Sequence, residues 1–166
     1  FDGKNKLPYT ENIKPNPIND YGKTKLMGEN KILSLNLRNS IILRTSWLYS
    51  EFDTNFVKKI YENMNSHNSI SVVDDQIGSP TRARDLSEAI LNIIPVISNI
   101  KTEIYHFANL GYCSKFDFAH FITKKINKEI QIKKIKTSSV VKRPRFSALN
   151  SKKFQEKFNY KILKWE

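Results

Sequence analysis

Tyr21 and Lys25 stand four residues apart in the run Tyr21-Gly22-Lys23-Thr24-Lys25. On a helix that spacing puts both side chains on one face, about a turn from each other. A phenol titrates near ~10, so it is protonated at neutral pH and can donate to a carbonyl oxygen that gains negative charge. An ammonium within ~4–6 Å favours the phenolate left behind. That brings the acid toward the working pH, where general-acid transfer is efficient. The same ammonium has spare donors for a sugar hydroxyl. The competing reading is an ordinary helix with an exposed Tyr and an exposed Lys, since both residue types are common here.

The elements that must position this pair follow from turn chemistry and periodicity. Residues 1–20 read as a polar loop, because Pro8, Pro15 and Pro17 forbid regular structure and Asn16, Asn19 and Asp20 supply turn and capping oxygens. A helix is predicted from about Asp20, capped by Asn19 or Asp20, with Leu26, Met27, Ile32, Leu33 and Leu35 as its inner face. Ser40 to Trp47 reads as one buried strand, Ile70 to Val73 as a second and Glu103 to Ala108 as a third. Between them, Phe56 to Met64, Arg84 to Ile97 and Phe116 to Ile126 carry helical spacing, with Leu86, Ala89, Ile90, Ile93 and Ile94 expected inward in the second. Asp74 to Thr81 reads as a loop, Ile130 to Ile135 as an edge strand, and Ser151 to Phe158 as a last helix. Strands alternating with helices define an α/β chain with mostly parallel strands. No internal repeat or linker divides it.

Composition narrows the classes. The chain has 166 residues, 39% of them hydrophobic, which suits one domain with a packed core. Its longest apolar stretches are interrupted and far shorter than the ~20 residues of a bilayer span. The single Cys113 excludes an internal disulfide and a Cys-rich zinc module. It also suits a reducing compartment, so a cytoplasmic location is expected. The net charge of +12 invites a nucleic-acid reading, but six arginines stand against twenty-two lysines and the lysines punctuate predicted helices. Nucleic-acid surfaces gather both on one face with aromatics between. A solvated basic surface with some affinity for phosphate-bearing molecules is the simpler account. The chain opens at Phe1 in a turn without Met, which is expected of a piece of something longer.

Further along, Asn16 to Glu29 is followed by Leu43-Arg44-Thr45-Ser46-Trp47-Leu48-Tyr49, by Asn55-Phe56-Val57 and by Val72-Val73-Asp74-Asp75-Gln76-Ile77-Gly78-Ser79-Pro80-Thr81. Phe1-Asp2-Gly3 and Pro8-Tyr9-Thr10-Glu11 precede these words; Ile104 to Ala108, Arg143-Pro144, Ser147 and Leu149 follow them. In this order they resemble the dTDP-4-dehydrorhamnose reductase family of extended short-chain dehydrogenase/reductases, over nearly the whole chain. The resemblance implies part of a Rossmann-like fold with a small substrate-binding region. It implies reduction of the 4-keto group of dTDP-4-dehydro-L-rhamnose by NADPH or NADH. Tyr21 would then donate the proton, and Lys25 would hold the nicotinamide ribose and tune Tyr21. Thr45 and Ser46 would contact the nicotinamide, at the strand end where open α/β sheets bind ligands.

On the sugar side the resemblance implies Trp47 against the deoxysugar, with a core aromatic as the alternative. Asn55 and the Gln76 to Thr81 loop would flank the nucleotide-sugar, with Gln76, Ser79 and Thr81 donating; a merely structural turn is the alternative. Arg143 and Arg145 would reach a diphosphate, or else serve the surface. Asp74 and Asp75 read as loop caps rather than a metal pair. The family has been associated with a divalent cation such as Mg2+, but no ligand set for one is identifiable in this sequence. His67, His106 and His120 carry no assignment.

Three departures matter. The glycines at 3, 22, 28, 78 and 111 are too dispersed for a G-x-G-x-x-G turn, so the pyrophosphate cradle of a dinucleotide fold is missing. The family's catalytic Ser or Thr lies upstream of the segment matching Phe1. Ser50 stands where Gly is common. Residues 1–166 therefore read as the C-terminal catalytic and nucleotide-sugar-binding portion of a reductase, without the cofactor-binding half and expected to be inactive alone. The dTDP-sugar is the expected partner, with no specific nucleic acid and no membrane; a homodimer is left open. Alternatives are a non-catalytic regulatory subunit resembling the methionine adenosyltransferase β subunit, and another nucleotide-sugar reductase or epimerase. A non-specific nucleic-acid binder would show itself by a steep loss of affinity with salt.

Overall fold

Amphipathic segments alternate with short β-branched runs, and the computed structural model, which describes residues 1–98, 100–138 and 141–166, folds them into five helices and eight short strands among those residues. In chain order they are α1 (Asp20–Ser34), β1 (Ile41–Arg44), β2 (Leu48–Tyr49), α2 (Phe56–Ser66), β3 (Ser69–Val73), β4 (Ile77–Gly78), β5 (Thr81–Arg82) and α3 (Ala83–Ile93). A short 3-10 turn (Ile94–Val96) follows, then β6 (Glu103–His106), β7 (Cys113–Ser114), α4 (Lys115–Lys125), β8 (Gln131–Ile135) and α5 (Lys152–Phe158). The strands pair two by two: β1 with β6, β2 with β5 and β3 with β8 run parallel, and β4 with β7 antiparallel. The chain is thus α/β with mostly parallel strands, as its alternating pattern predicts.

Burial follows the helical periods of α2 and α4. Ile60 and Met64 of α2 meet Phe118 and Ile122 of α4 over Ile70 and Val72 of β3, and Trp165 closes the cluster. A second cluster joins Ala89 and Ile93 of α3 to Tyr105, Phe107, Phe154 and Ile162. Each fully buried large apolar side chain contributes roughly 1.5–3 kcal/mol. The polar start of the chain is held where Tyr9 packs with Phe146 and Ala148, its backbone N–H donating to the Ala148 carbonyl at 2.8 Å. No helix among the described residues is long and apolar enough to cross a membrane.

The structure corrects four sequence expectations. Helix α1 forms where predicted, yet none of its residues is buried; Met27 is 69% exposed and Leu35 54%. Within these residues its apolar positions join no core cluster, and Asn19 and the Glu29 carboxylate tie the helix to the rest of this chain. The predicted strand over 40–47 ends at Arg44, because Trp47 takes a left-handed backbone (φ +43°) that a ladder cannot continue. Helix α3 ends at Ile93, with Pro95 in the turn that follows, so Ile90 and Ile94 face solvent. The loop predicted over 74–81 contains β4 and the start of β5.

That last segment passes directly beside Trp47. A Cβ on Gly78 would lie 2.7 Å from the Trp47 Nε1 and 2.8 Å from its Cζ2. Only a glycine lets the β4 backbone lie against the indole. Gly78→Ala should displace the Trp47 ring and cost about 1–3 kcal/mol as overpacking. Urea denaturation with Trp fluorescence measures both effects; an unchanged midpoint and emission maximum would show that the contact carries no weight.

Candidate active site

Asn19 starts the site. It lies in the extended region before α1, and its Oδ1 accepts from the Gly22 N–H at 2.8 Å. Its Nδ2 donates to the Lys142 carbonyl at 2.8 Å. One side chain therefore caps the helix and ties it to the segment that carries Arg143. From this start Tyr21, Lys25 and Glu29 recur at every fourth position, so they line one face of α1.

Along that face, Lys25 Nζ lies 5.5 Å from the Tyr21 ring centroid, and both side chains are exposed. Glu29 forms the anchor. Its carboxylate accepts from Arg44 Nε at 2.8 Å and from Nη2 at 2.6 Å, a two-pronged pair only 12% and 17% exposed. It is the least exposed ion pair among the described residues. Since Arg44 ends β1, this pair fixes the rotation of α1 against the sheet.

The guanidinium is held from behind by His106, the last residue of β6. Arg44 Nη1 lies 3.4 Å from His106 Nε2 and the Tyr9 carbonyl 2.9 Å from Nδ1. A guanidinium only donates, so Nε2 accepts and the proton resides on Nδ1. The ring is fully buried. Burial first, and the Arg44 charge with it, hold its pKa below 6.5, against the opposing pull of Glu11 and Glu29. His106 is neutral as a consequence.

These groups open onto a cavity of about 570 Å³. Its lining brings together Tyr21, Lys25, Thr45, Ser46, Trp47, Gln76 and Arg143, with Arg44 and Glu29 at the back. Thr45 Oγ1 is buried with no hydrogen-bond partner among the described residues. Gln76 Nε2 donates to Thr137 Oγ1 at 2.9 Å, which leaves its amide oxygen available.

Three residues expected at the nucleotide-sugar do not reach the cavity. Asn55 caps α2, accepting from the Val57 and Lys58 N–H groups and donating to the Ser50 carbonyl at 2.7 Å. Ser79 and Thr81 are fully buried, and Thr81 Oγ1 donates to the Ser79 carbonyl. Arg145 also lies outside the lining; its carbonyl accepts from Ile77 N–H at 2.7 Å. Asp74 and Asp75 act as loop caps, pairing with Lys136 and accepting from Thr137. Among the described residues no three His, Cys, Asp or Glu side chains gather to hold a metal ion.

Sequence reasoning missed Glu29, Arg44 and His106 as a unit. The every-fourth-residue series from Tyr21 was the available signal for Glu29; nothing local pairs it with Arg44, fifteen positions on.

A family model for the RmlD substrate binding domain matches residues 1–166. A dTDP-4-dehydrorhamnose reductase of Sinorhizobium fredii is 34% identical over all of this chain and 60% of its own length. The spore coat polysaccharide biosynthesis protein SpsK of Bacillus subtilis is 35% identical over 94% of this chain and 54% of its own length. The chain thus spans little more than half the length of these curated relatives. A crystal structure of dTDP-4-dehydrorhamnose reductase from Bacillus anthracis, in complex with NADP, matches 99% of this chain and 58% of that one. It does so with a TM-score of 0.92 at 33% identity.

Two outcomes test the anchor. Glu29→Gln leaves a largely buried guanidinium without its counter-charge and should cost on the order of 2 kcal/mol, read as a lowered urea midpoint. An unmoved midpoint would remove the pair from its anchoring role. Separately, the unfolded chain takes up a proton at His106 before the folded chain does, so folded-state stability falls as pH drops. The contribution is whole above about 6.5, the ordinary histidine value, and is lost as pH passes down through the lower folded value. His106→Gln should flatten the slope of urea midpoint against pH below 6.5, and equal slopes in both proteins would refute it.

Proposed function

The chain belongs to the RmlD substrate binding domain family, and from that premise we propose that it carries the acid and the sugar side of a reductase. The proposed reaction is reduction of the 4-keto group of dTDP-4-dehydro-L-rhamnose to dTDP-L-rhamnose with a reduced nicotinamide cofactor. The observation that carries the reading is the common cavity: Tyr21 and Lys25 line it together with Thr45, Ser46, Trp47, Gln76 and Arg143.

A ketone lodged against α1 gains negative charge on its oxygen as it is reduced. The Tyr21 phenol donates the proton that neutralises it. Lys25, one turn along, stabilises the phenolate that remains and offers donors to a ribose hydroxyl. Trp47 gives the deoxysugar an apolar wall, and Gln76 offers its free amide oxygen to a sugar or base N–H or O–H. Arg143 matches the oxygens of a diphosphate. The buried, unpartnered Thr45 hydroxyl, beside Ser46, suits the nicotinamide carboxamide. The cofactor, NADPH in this proposal, supplies a hydride when bound. Only its nicotinamide end finds fitting residues here, because the five glycines are dispersed and none forms a pyrophosphate cradle.

Calorimetric titration of this chain with dTDP and with dTDP-L-rhamnose tests the sugar side. Binding of the sugar nucleotide is expected, Arg143→Met should weaken both ligands about tenfold as a lost charged contact, and Tyr21→Phe should leave both unchanged. With a dinucleotide-binding half supplied ahead of these residues, Tyr21→Phe should lower turnover about 10²- to 10⁴-fold. Normal turnover in that variant would end the acid assignment, and no binding of dTDP-L-rhamnose would end the sugar-side assignment.

A further inference from the structure

Lys115 opens α4 behind the cavity wall. Its Nζ lies 3.7 Å from the centroid of the Trp47 ring and 4.3 Å from that of Phe56. No carboxylate pairs with it among the described residues. Two aromatic faces therefore take the place of its lost water. Burial pushes its pKa down to about 8, aided by the Arg143 charge and opposed by Cys113. Its backbone N–H also donates to the Gln76 carbonyl at 3.0 Å.

Of the three residues that Lys115 touches, Trp47 and Gln76 line the cavity, and both lie just outside the strands. Trp47 follows β1 with a left-handed backbone, and Gln76 precedes β4. Ladder bonds hold their backbones, Thr81 N–H to the Trp47 carbonyl at 3.2 Å and Lys115 N–H to the Gln76 carbonyl at 3.0 Å, but no ladder reaches the indole itself. Gly78 lies against the indole from the β4 backbone, the ring packs on the α2–α4 core cluster, and the Lys115 ammonium is a charged contact on its face. The quadrupole of an indole attracts a cation to its face and offers a methylene chain no such preference.

We propose that Lys115 is a positioning residue for the sugar-facing wall: its ammonium fixes the Trp47 indole, so the cavity's preference for a sugar attached to a nucleoside diphosphate depends on a cation at this position. The inference rests on the reading of the cavity as a nucleotide-sugar site. It extends that reading to a residue outside the lining, which acts through Trp47 and not on the ligand.

Lys115→Met keeps the length and apolar stem and removes the charge; Lys115→Arg keeps the charge. Calorimetry with dTDP and dTDP-L-rhamnose separates the sugar increment from the nucleotide, and emission in a Trp165→Phe background reports Trp47 alone. Lys115→Met should weaken dTDP-L-rhamnose about three- to tenfold, the scale of one cation–π contact, while dTDP changes less than about twofold. It should also shift the Trp47 emission. Lys115→Arg should restore both. Three results overturn the proposal: wild-type affinity for dTDP-L-rhamnose in Lys115→Met, an equal loss for both ligands, or no recovery in a folded Lys115→Arg. If the unsubstituted chain binds neither ligand, the nucleotide-sugar reading itself fails, and this inference falls with it.

Discussion

The two-pronged bond between Arg44 and Glu29 is the constraint on which the site depends. Within these residues helix α1 buries none of its own and joins neither of the core clusters that hold α2, α3 and α4. Its azimuth is set by polar contacts of definite geometry. A planar guanidinium gripping a planar carboxylate allows little rotation, and Glu29 lies on the same face as Tyr21 and Lys25. Fixing one member of that series fixes the others. The neutral His106 ring completes the arrangement, because an accepting nitrogen faces the guanidinium where a protonated ring would repel it.

The opposite wall is built differently. Thr45, Ser46 and Trp47 leave the sheet as soon as Arg44 ends β1, and the left-handed backbone at Trp47 turns the indole into the cavity lining. The backbone is caught at once by the next ladder, where the Trp47 carbonyl accepts from the Thr81 N–H at 3.2 Å. The ring packs on the α2–α4 core cluster, with β4 beside it, where the absence of a side chain at Gly78 admits it, and with the Lys115 ammonium on its face. The helix that carries Tyr21 and the turn that carries the indole are thus supported from two different parts of the chain.

How much of this the sequence discloses depends on the range of the interaction. The α1 cap, expected at Asn19 or Asp20 and found at Asn19, the helical span of α2 and the alternation behind parallel pairing are local, and they are legible. The Tyr21/Lys25 spacing reads correctly too, because a helix converts it directly into a shared face. Of the apolar positions expected inward on α1, Leu26 is half-buried while Met27, Ile32, Leu33 and Leu35 are exposed within these residues, since helical spacing says which residues share a face and not what packs there. Asn55 and Thr81 have nearer partners that the spacing does not show: the α2 N–H groups take the Asn55 amide oxygen as acceptor, and the Ser79 carbonyl takes the Thr81 hydroxyl as donor. Lys115 was illegible. It resembles the many surface lysines until Trp47 and Phe56 arrive from 68 and 59 positions earlier in the numbering to enclose it.

Charge has the same local and non-local division. A net +12 raises the encounter rate with any anionic solute and selects no position for it. Position comes from Asn19, whose two ends bond the start of α1 and the Lys142 carbonyl. Arg143 is the next residue. One short amide side chain therefore holds the backbone at the start of α1 against the backbone that carries the proposed diphosphate contact, and the exposed Arg143 side chain supplies the reach from there. In the reading proposed above, a ligand that meets both Tyr21 and Arg143 bridges the two segments that Asn19 ties together, as a sugar joined to a diphosphate would and a free sugar would not.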